Sequence, residues 1–177
     1  MVKFKNFCHT CVASGFLCNS CQKKLDEEAI TDFELELAKE LLILEESDGR
    51  FDFLRDISFY KAIDYEDVII LVVGKKDKIR ISEELLNWIK EKYEIDEIIL
   101  IEKTDKPRAV LEGLISPAKV LSLNEIFLAT GDKEFKGILR ESDKDNILFT
   151  REELQDLVLE LTGNATRIEY HSSVDSI

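Results

Sequence analysis

Residues 59–73 read FYKAIDYEDVIILVV, and the class of the fold turns on how this stretch is read. Phe59 to Asp64 and Asp67 to Val73 predict two strands around a short turn, the second carrying the apolar run Val68-Ile69-Ile70-Leu71-Val72-Val73. Together they read as a hairpin.

Upstream, Thr31-Asp32-Phe33-Glu34 has the form of a capping box, with Thr31 as N-cap and Glu34 reaching back to it. A helix to about Glu46 follows, with Phe33, Leu37, Leu41 and Leu44 on one face, and Ser47-Asp48-Gly49 ends it. Downstream, Gly74-Lys75-Lys76-Asp77-Lys78 is a charged connection. Ser82 with Glu83 and Glu84 then starts a helix through Tyr93 that buries Leu85, Trp88 and Ile89. Ile98 to Ile101 is a third strand. Thr104 or Asp105 opens the next helix, with Pro107 in its first turn and Val110, Leu111, Leu114 and Ile115 as its apolar side.

The order then recurs. Val120 to Thr130 contains a strand, Gly131-Asp132 is a turn, and Lys133 to Arg140 is a second strand. Thr150-Arg151-Glu152-Glu153 is a second capping box, ahead of a stripe formed by Leu154, Leu157, Val158 and Leu161. Gly163 and Asn164 stop that helix, and Ala165 to Tyr170 closes the unit as a strand. The chain therefore reads as α+β, with α-β-β-α-β repeated at roughly 70-residue spacing, as in a duplicated unit. The expected division is 1–30, 31–103 and 104–171, with 172–177 as a loose tail.

All four cysteines lie in residues 8–21, CHTCVASGFLCNSC. Cys8 with Cys11 and Cys18 with Cys21 form two Cys-x2-Cys pairs, and two such knuckles complete the tetrahedral thiolate set that zinc favours in structural sites. Four ligands leave no open position, so the ion would replace a core that about 20 residues cannot build. Three other readings use the same thiols. Two disulfides need an oxidising compartment, an iron–sulfur cluster needs the same four sulfurs, and thioredoxin-type chemistry needs Cys-x-x-Cys at a helix start in a βαβ setting. His9 is an alternative ligand by position, but beside four cysteines it reads as an outer imidazole. Lys3, Lys5, Lys23 and Lys24 flank the pairs and offset thiolate charge.

The 177-residue chain has 37 acidic and 24 basic side chains, a net charge of −13, which argues against a general phosphate-backbone binder and makes any nucleic-acid contact local. No apolar run approaches about 18 residues, and MVKFKNFCHT lacks the apolar stretch of a secretory signal, so a cytoplasmic protein without membrane contact is expected.

The Cys-x2-Cys pair followed by Ser14-Gly15-Phe16-Leu17-Cys18-x2-Cys21-Gln22-x-Lys24-Leu25, an acidic helix and the repeated α-β-β-α-β order resembles the archaeal NusA-like proteins, which carry an N-terminal zinc motif and KH domains. Pro117-Ala118-Lys119-Val120-Leu121 is similar to that family's junction between units. The resemblance covers nearly the full chain. It implies two KH-like units, a structural Zn2+ and a role in transcription elongation or termination, with RNA polymerase or ribosomal and transcription machinery as partners and single-stranded RNA as ligand. A KH domain holds such RNA through a Gly-x-x-Gly loop. At the corresponding places this chain has Gly74-Lys75-Lys76-Asp77-Lys78-Ile79-Arg80-Ile81, with one glycine, and Glu141-Ser142-Asp143-Lys144-Asp145-Asn146, with none.

Lys75, Lys76, Lys78 and Arg80 nevertheless gather positive charge where such a loop would meet phosphates. The competing account is a solvated loop balanced by Asp77, Glu83 and Glu84. Phe16 reads as small-core packing under the knuckles, or as a stacking platform if exposed, and Trp88 as core. No Gly-x-Ser-x-Gly, Walker loop or His-Glu-x-x-His occurs, so no catalytic residue and no small-molecule substrate are assigned. The alternative function is a zinc-containing protein-interaction adaptor whose KH units no longer bind nucleic acid, its acidic surface steering it to a basic partner.

Overall fold

The computed structural model describes residues 1–172; most of the expected tail lies outside the described residues. The fold is mixed α+β, with two small sheets in two compact units, Met1–Lys103 and Thr104 onward.

The first unit contains β1 (Lys3–Phe4), α1 (His9–Ser14), α2 (Asn19–Asp26), α3 (Asp32–Ser47), β2 (Ser58–Tyr65), β3 (Val68–Val73), α4 (Glu83–Tyr93) and β4 (Glu97–Glu102). The sheet order is β1-β2-β3-β4, with β2 and β3 antiparallel and β4 parallel to β3. The hairpin read from residues 59–73 is thus present. Every residue of β3 is buried, as befits an interior strand whose side chains are apolar on both faces. Ile69, Leu71 and Val73 join Leu37, Leu41, Leu85 and Ile89 in the core, so α3 and α4 contribute the faces that their periodicity predicts.

Thr31 and Glu34 form the expected capping box on α3. Glu34 is more than a cap. Its Oε2 accepts the Thr31 N–H and its Oε1 accepts the Ala62 N–H, both at 3.0 Å, so a buried carboxylate satisfies a β2 donor beyond the reach of the two-residue β1. On the same edge, the Asn6 side-chain amide donates to the Tyr60 carbonyl.

Residues 1–30 join this unit. β1 runs parallel to the start of β2, and Val2 and Val12 are buried in the same core. Residues 49–56, for which the sequence pattern predicts no element, form two short 3-10 turns that meet at a kink at Phe51 and bury Phe51 and Leu54. Helical periodicity misses them because three residues per turn leave no 3.6-residue stripe.

The second unit contains α5 (Pro107–Ile115), β5 (Val120–Phe127), β6 (Lys133–Arg140), α6 (Arg151–Thr162) and β7 (Thr166–His171). Its sheet is β5-β6-β7, antiparallel then parallel. Thr150 and Glu153 form the second capping box, and Leu154, Leu157, Val158 and Leu161 are buried. α6 ends at Gly163, whose φ of +74° is the left-handed conformation that favours glycine. The start of α5 differs from expectation. Lys106 is its N-cap, because the Thr104 hydroxyl accepts the Lys106 N–H at 3.2 Å and closes a turn before the helix.

Candidate metal centre and cationic loop

Each Cys-x2-Cys pair straddles the start of a short helix. Cys8 is the N-cap of α1 and Cys11 its third residue, while Cys18 and Cys21 stand in the same places on α2. Three residues of separation across a helical turn put both thiols of a pair on one side, and the loop at Gly15 to Leu17 turns the second helix back toward the first. Gly15, at φ +73°, caps α1 by donating its N–H to the Cys11 carbonyl.

The four Sγ atoms lie within 4.8 Å of one another. Cys8 Sγ is 2.8 Å from Cys11, 3.8 Å from Cys21 and 4.0 Å from Cys18. Cys11 and Cys21 are buried, Cys8 and Cys18 exposed. Backbone also points in, the Cys18 N–H donating to Cys11 Sγ at 3.2 Å. The thiols perturb one another strongly. The Cys21 backbone N–H and the Cys11 and Cys21 thiols hold Cys18 down to about 6, and hydrogen bonding to Cys8 pushes Cys11 up to about 12. Burial pushes Cys21 up. A cation at the centre of this set would favour the thiolate form of all four. The donor set therefore fits a single metal ion with no position left for a substrate.

The geometry bears on two of the readings drawn from the sequence, changing the first and agreeing with the second. The helix-start placement that thioredoxin-type chemistry requires is present in both pairs, yet the pairs face each other as one cluster. His9 stays outside the cluster, which consists of the four cysteines, and its Nε2 is shielded from solvent without a hydrogen-bond partner among the described residues.

Phe16 corrects a sequence expectation. It is 82 % exposed and does not pack under the knuckles. Its backbone is fixed all the same, the Phe16 N–H donating to Ser14 Oγ at 3.2 Å beside the Gly15 cap. Trp88 is half-buried against the core of the first unit, with the Lys92 ammonium 5.9 Å from its ring centroid.

In the cationic loop, Lys75, Lys76, Lys78 and Arg80 are all exposed, as is Ile79 at 84 %. Asp77, between them, is buried. Counting a Gly-x-x-Gly spacing from Gly74 puts this aspartate where the second glycine would stand. Its Oδ2 accepts the Ser58 N–H at 2.9 Å, and Arg80 lies 4.0 Å from its Oδ1. The Asp77 N–H closes a turn on the Gly74 carbonyl at 3.1 Å, with Lys76 at φ +66° and its N–H on Glu102 Oε1 at 3.0 Å. Among the described residues, no carboxylate pairs with the ammonium groups of Lys75, Lys76 or Lys78. The sequence account in which Asp77 balances these lysines therefore gives way to one in which it anchors the loop.

The corresponding segment of the second unit is a 3-10 turn, Glu141–Asn146, with Lys144 drawn to Glu141 and to the Tyr170 ring. Its acidic character is as the sequence implies.

Among the described residues, no helix is long and apolar enough to cross a membrane. No protein-family model matches the chain, and no curated protein matches it. Among solved structures, the crystal structure of APE1850 is similar to it, with 18% sequence identity and a TM-score of 0.48, over 73% of this chain and 94% of that one.

Proposed function

We propose that the four cysteines hold a structural Zn2+, and that the chain is a NusA-like, nucleic-acid-associated factor of transcription elongation or termination, cytoplasmic and without catalytic activity of its own. The observation that carries the metal reading is the closed set of four sulfurs within 4.8 Å, two of them buried. Zinc is preferred because two facing Cys-x2-Cys pairs suit its tetrahedral thiolate geometry.

Contact with single-stranded RNA is assigned to Lys75, Lys76, Lys78 and Arg80. What supports it is a loop anchored by Asp77 that presents lysines without paired carboxylates in an otherwise acidic chain. Such a loop binds phosphates through counter-ion release, so affinity falls with salt. The test is zinc-loaded protein titrated against fluorescent single-stranded RNA at two salt concentrations, beside K75E/K76E/K78E. Binding that weakens with salt and is lost in the triple variant supports the assignment; equal binding by both proteins refutes it.

The second reading is the adaptor, with RNA polymerase or a ribosomal surface as partner and no RNA contact. The net charge of −13 and the acidic Glu141–Asn146 segment favour it. Absence of RNA binding at low salt would select it.

A further inference from the structure

We propose that the second unit carries a ribose-phosphate site, a cleft that takes the phosphate of a ribonucleotide on Lys119 and Arg140 and its 2′-hydroxyl on Asp143. The site rests on the RNA reading of the chain and adds to it a second point of contact and a means of telling RNA from DNA.

The cleft has a volume of about 600 Å³ and is lined by Pro117, Ala118, Lys119, Arg140, Asp143 and Asn146, all within the second unit. It lies where β5 begins and β6 ends. Val120 stands opposite Leu139 in the register of those strands, and Lys119 and Arg140 are the next residues outward, both exposed. Like charges on facing positions destabilise a sheet unless an anion lies between them. On its other flank Arg140 is in register with His171 of β7, which supplies no counter-charge.

Arg140 is also set apart by its lack of a partner. Arg50, Arg55, Arg80, Arg108, Arg151 and Arg167 each pair with a carboxylate, as an acidic chain makes easy. Among the described residues, neither Arg140 nor Lys119 has such a pair, although Asp143 lines the same cleft. A free guanidinium fork with an ammonium beside it suits the oxygens of a phosphate.

The 3-10 turn Glu141–Asn146 decides what else the ligand brings. Asp143 and Asn146 are three residues apart in it, so they eclipse and face the cleft together. An ionised carboxylate only accepts hydrogen bonds, and it repels a second anion. An acidic peptide would set its own carboxylate against Asp143. A ribonucleotide instead offers the 2′-hydroxyl as donor on the sugar carbon next to the one that bears the 3′-phosphate, and DNA lacks that hydroxyl. No aromatic side chain is among the described lining residues, so the site holds backbone and stacks no base.

The test uses the full chain, zinc-loaded and isotope-labelled, with amide NMR shifts followed as adenosine 3′-monophosphate, its 2′-deoxy counterpart or inorganic phosphate is added. The ribonucleotide should shift the amides of Lys119, Arg140, Asp143 and Asn146, and the deoxynucleotide should bind about 3- to 10-fold more weakly for the one hydrogen bond lost. K119A/R140A should abolish both. Asp143→Ala should bind inorganic phosphate more tightly than wild type and yet bind the two nucleotides equally, a pair of effects that general electrostatics does not produce. Absence of shifts at the cleft, equal affinity of wild type for the two nucleotides, or discrimination that survives Asp143→Ala would each overturn the proposal.

A second arm separates RNA from free nucleotide. With fluorescent single-stranded RNA, K119A/R140A should bind more weakly and flatten the slope of log affinity against log salt by about 0.7, the share of one phosphate on a single strand. The cleft shifts with the nucleotide should persist in K75E/K76E/K78E, whose substitutions lie in the first unit. RNA affinity unchanged in K119A/R140A would overturn the assignment to RNA and leave a site for free ribonucleotide. Nucleotide shifts at the cleft in a wild-type chain that binds no RNA would contradict the RNA reading and not the cleft.

Discussion

Asp77 Oδ2 accepts the Ser58 N–H at 2.9 Å, so the one carboxylate inside the cationic loop ties that loop to the first residue of β2. Gly74 belongs to the same arrangement. It donates its N–H to the Ser58 carbonyl at 2.8 Å, and a Cβ placed on it would run into the Asp77 carboxylate and lie 3.3 Å from Ser58 Cβ. The glycine is therefore required by close packing inside the protein, whether or not a phosphate ever approaches it.

That relationship predicts a coupled pair of substitutions. Gly74→Ala should cost about 1–2 kcal/mol by forcing Asp77 out of place, and Asp77→Ala about 1–3 kcal/mol by leaving a shielded Ser58 N–H unpaired. With Asp77→Ala already present, Gly74→Ala should become nearly neutral, because the clashing carboxylate is gone. Urea denaturation of the two single variants and the double variant measures the coupling, and additive costs would show that the two residues act separately.

The elements were legible in the sequence where one physical signal acts alone. The capping boxes at Thr31 and Thr150, the apolar run of β3 and the leucine stripe of α6 each depend on local spacing. So does the clustering of the cysteines, since two short pairs separated by a turn have few ways to avoid meeting. What the sequence hid depends on partners far along the chain. Asp77 reads as one more surface acid until Ser58 is placed beside it, and Glu34 reads as a cap until Ala62 is. Phe16 went the other way, since hydrophobicity predicts burial but the small α1-α2 module has no interior to receive it.

Phe16 yields a prediction by that exposure. Phe16→Ala should change stability by no more than about 0.5 kcal/mol, as for a surface substitution, and should leave metal content unaltered. Thermal unfolding with elemental analysis checks this. A loss of several kcal/mol would return Phe16 to the core.

Glu45 gives a pH dependence. It is 6 % exposed on α3, where it accepts the Val2 N–H, pairs with the Met1 ammonium at 3.0 Å and receives Arg55 Nε at 3.3 Å. Burial by itself raises its pKa, but the Val2 N–H, the ammonium and Arg55 together outweigh that and hold it below the ordinary 4.5. A depressed carboxylate stabilises the fold above its unfolded value and loses that contribution as pH falls through the folded one. Glu45→Gln should therefore cost about 1 kcal/mol at neutral pH. The gap from wild type should close as pH drops below 4.5. Denaturation at a series of pH values reads the gap, and a constant offset would mean that packing rather than charge is lost.

Metal removal tests how far the cysteine cluster is built into the first unit. β1 rests on β2 through Lys3 N–H to the Ile57 carbonyl at 3.1 Å and Lys5 N–H to the Phe59 carbonyl at 3.0 Å. Between β1 and α1, Phe4 and Phe7 pack at 5.2 Å, and Lys24 of α2 donates to the Asn6 carbonyl at 2.6 Å. Chelation should thus loosen more than α1 and α2. Hydrogen exchange is expected to accelerate on the order of 10-fold or more at the Lys3 and Lys5 amides as well as at Gly15, since each loss of about 1.4 kcal/mol in local stability is a factor of 10 in opening. If Gly15 loses protection while Lys3 and Lys5 keep theirs, the cluster stabilises only its own two helices, and β1 is held by the sheet alone.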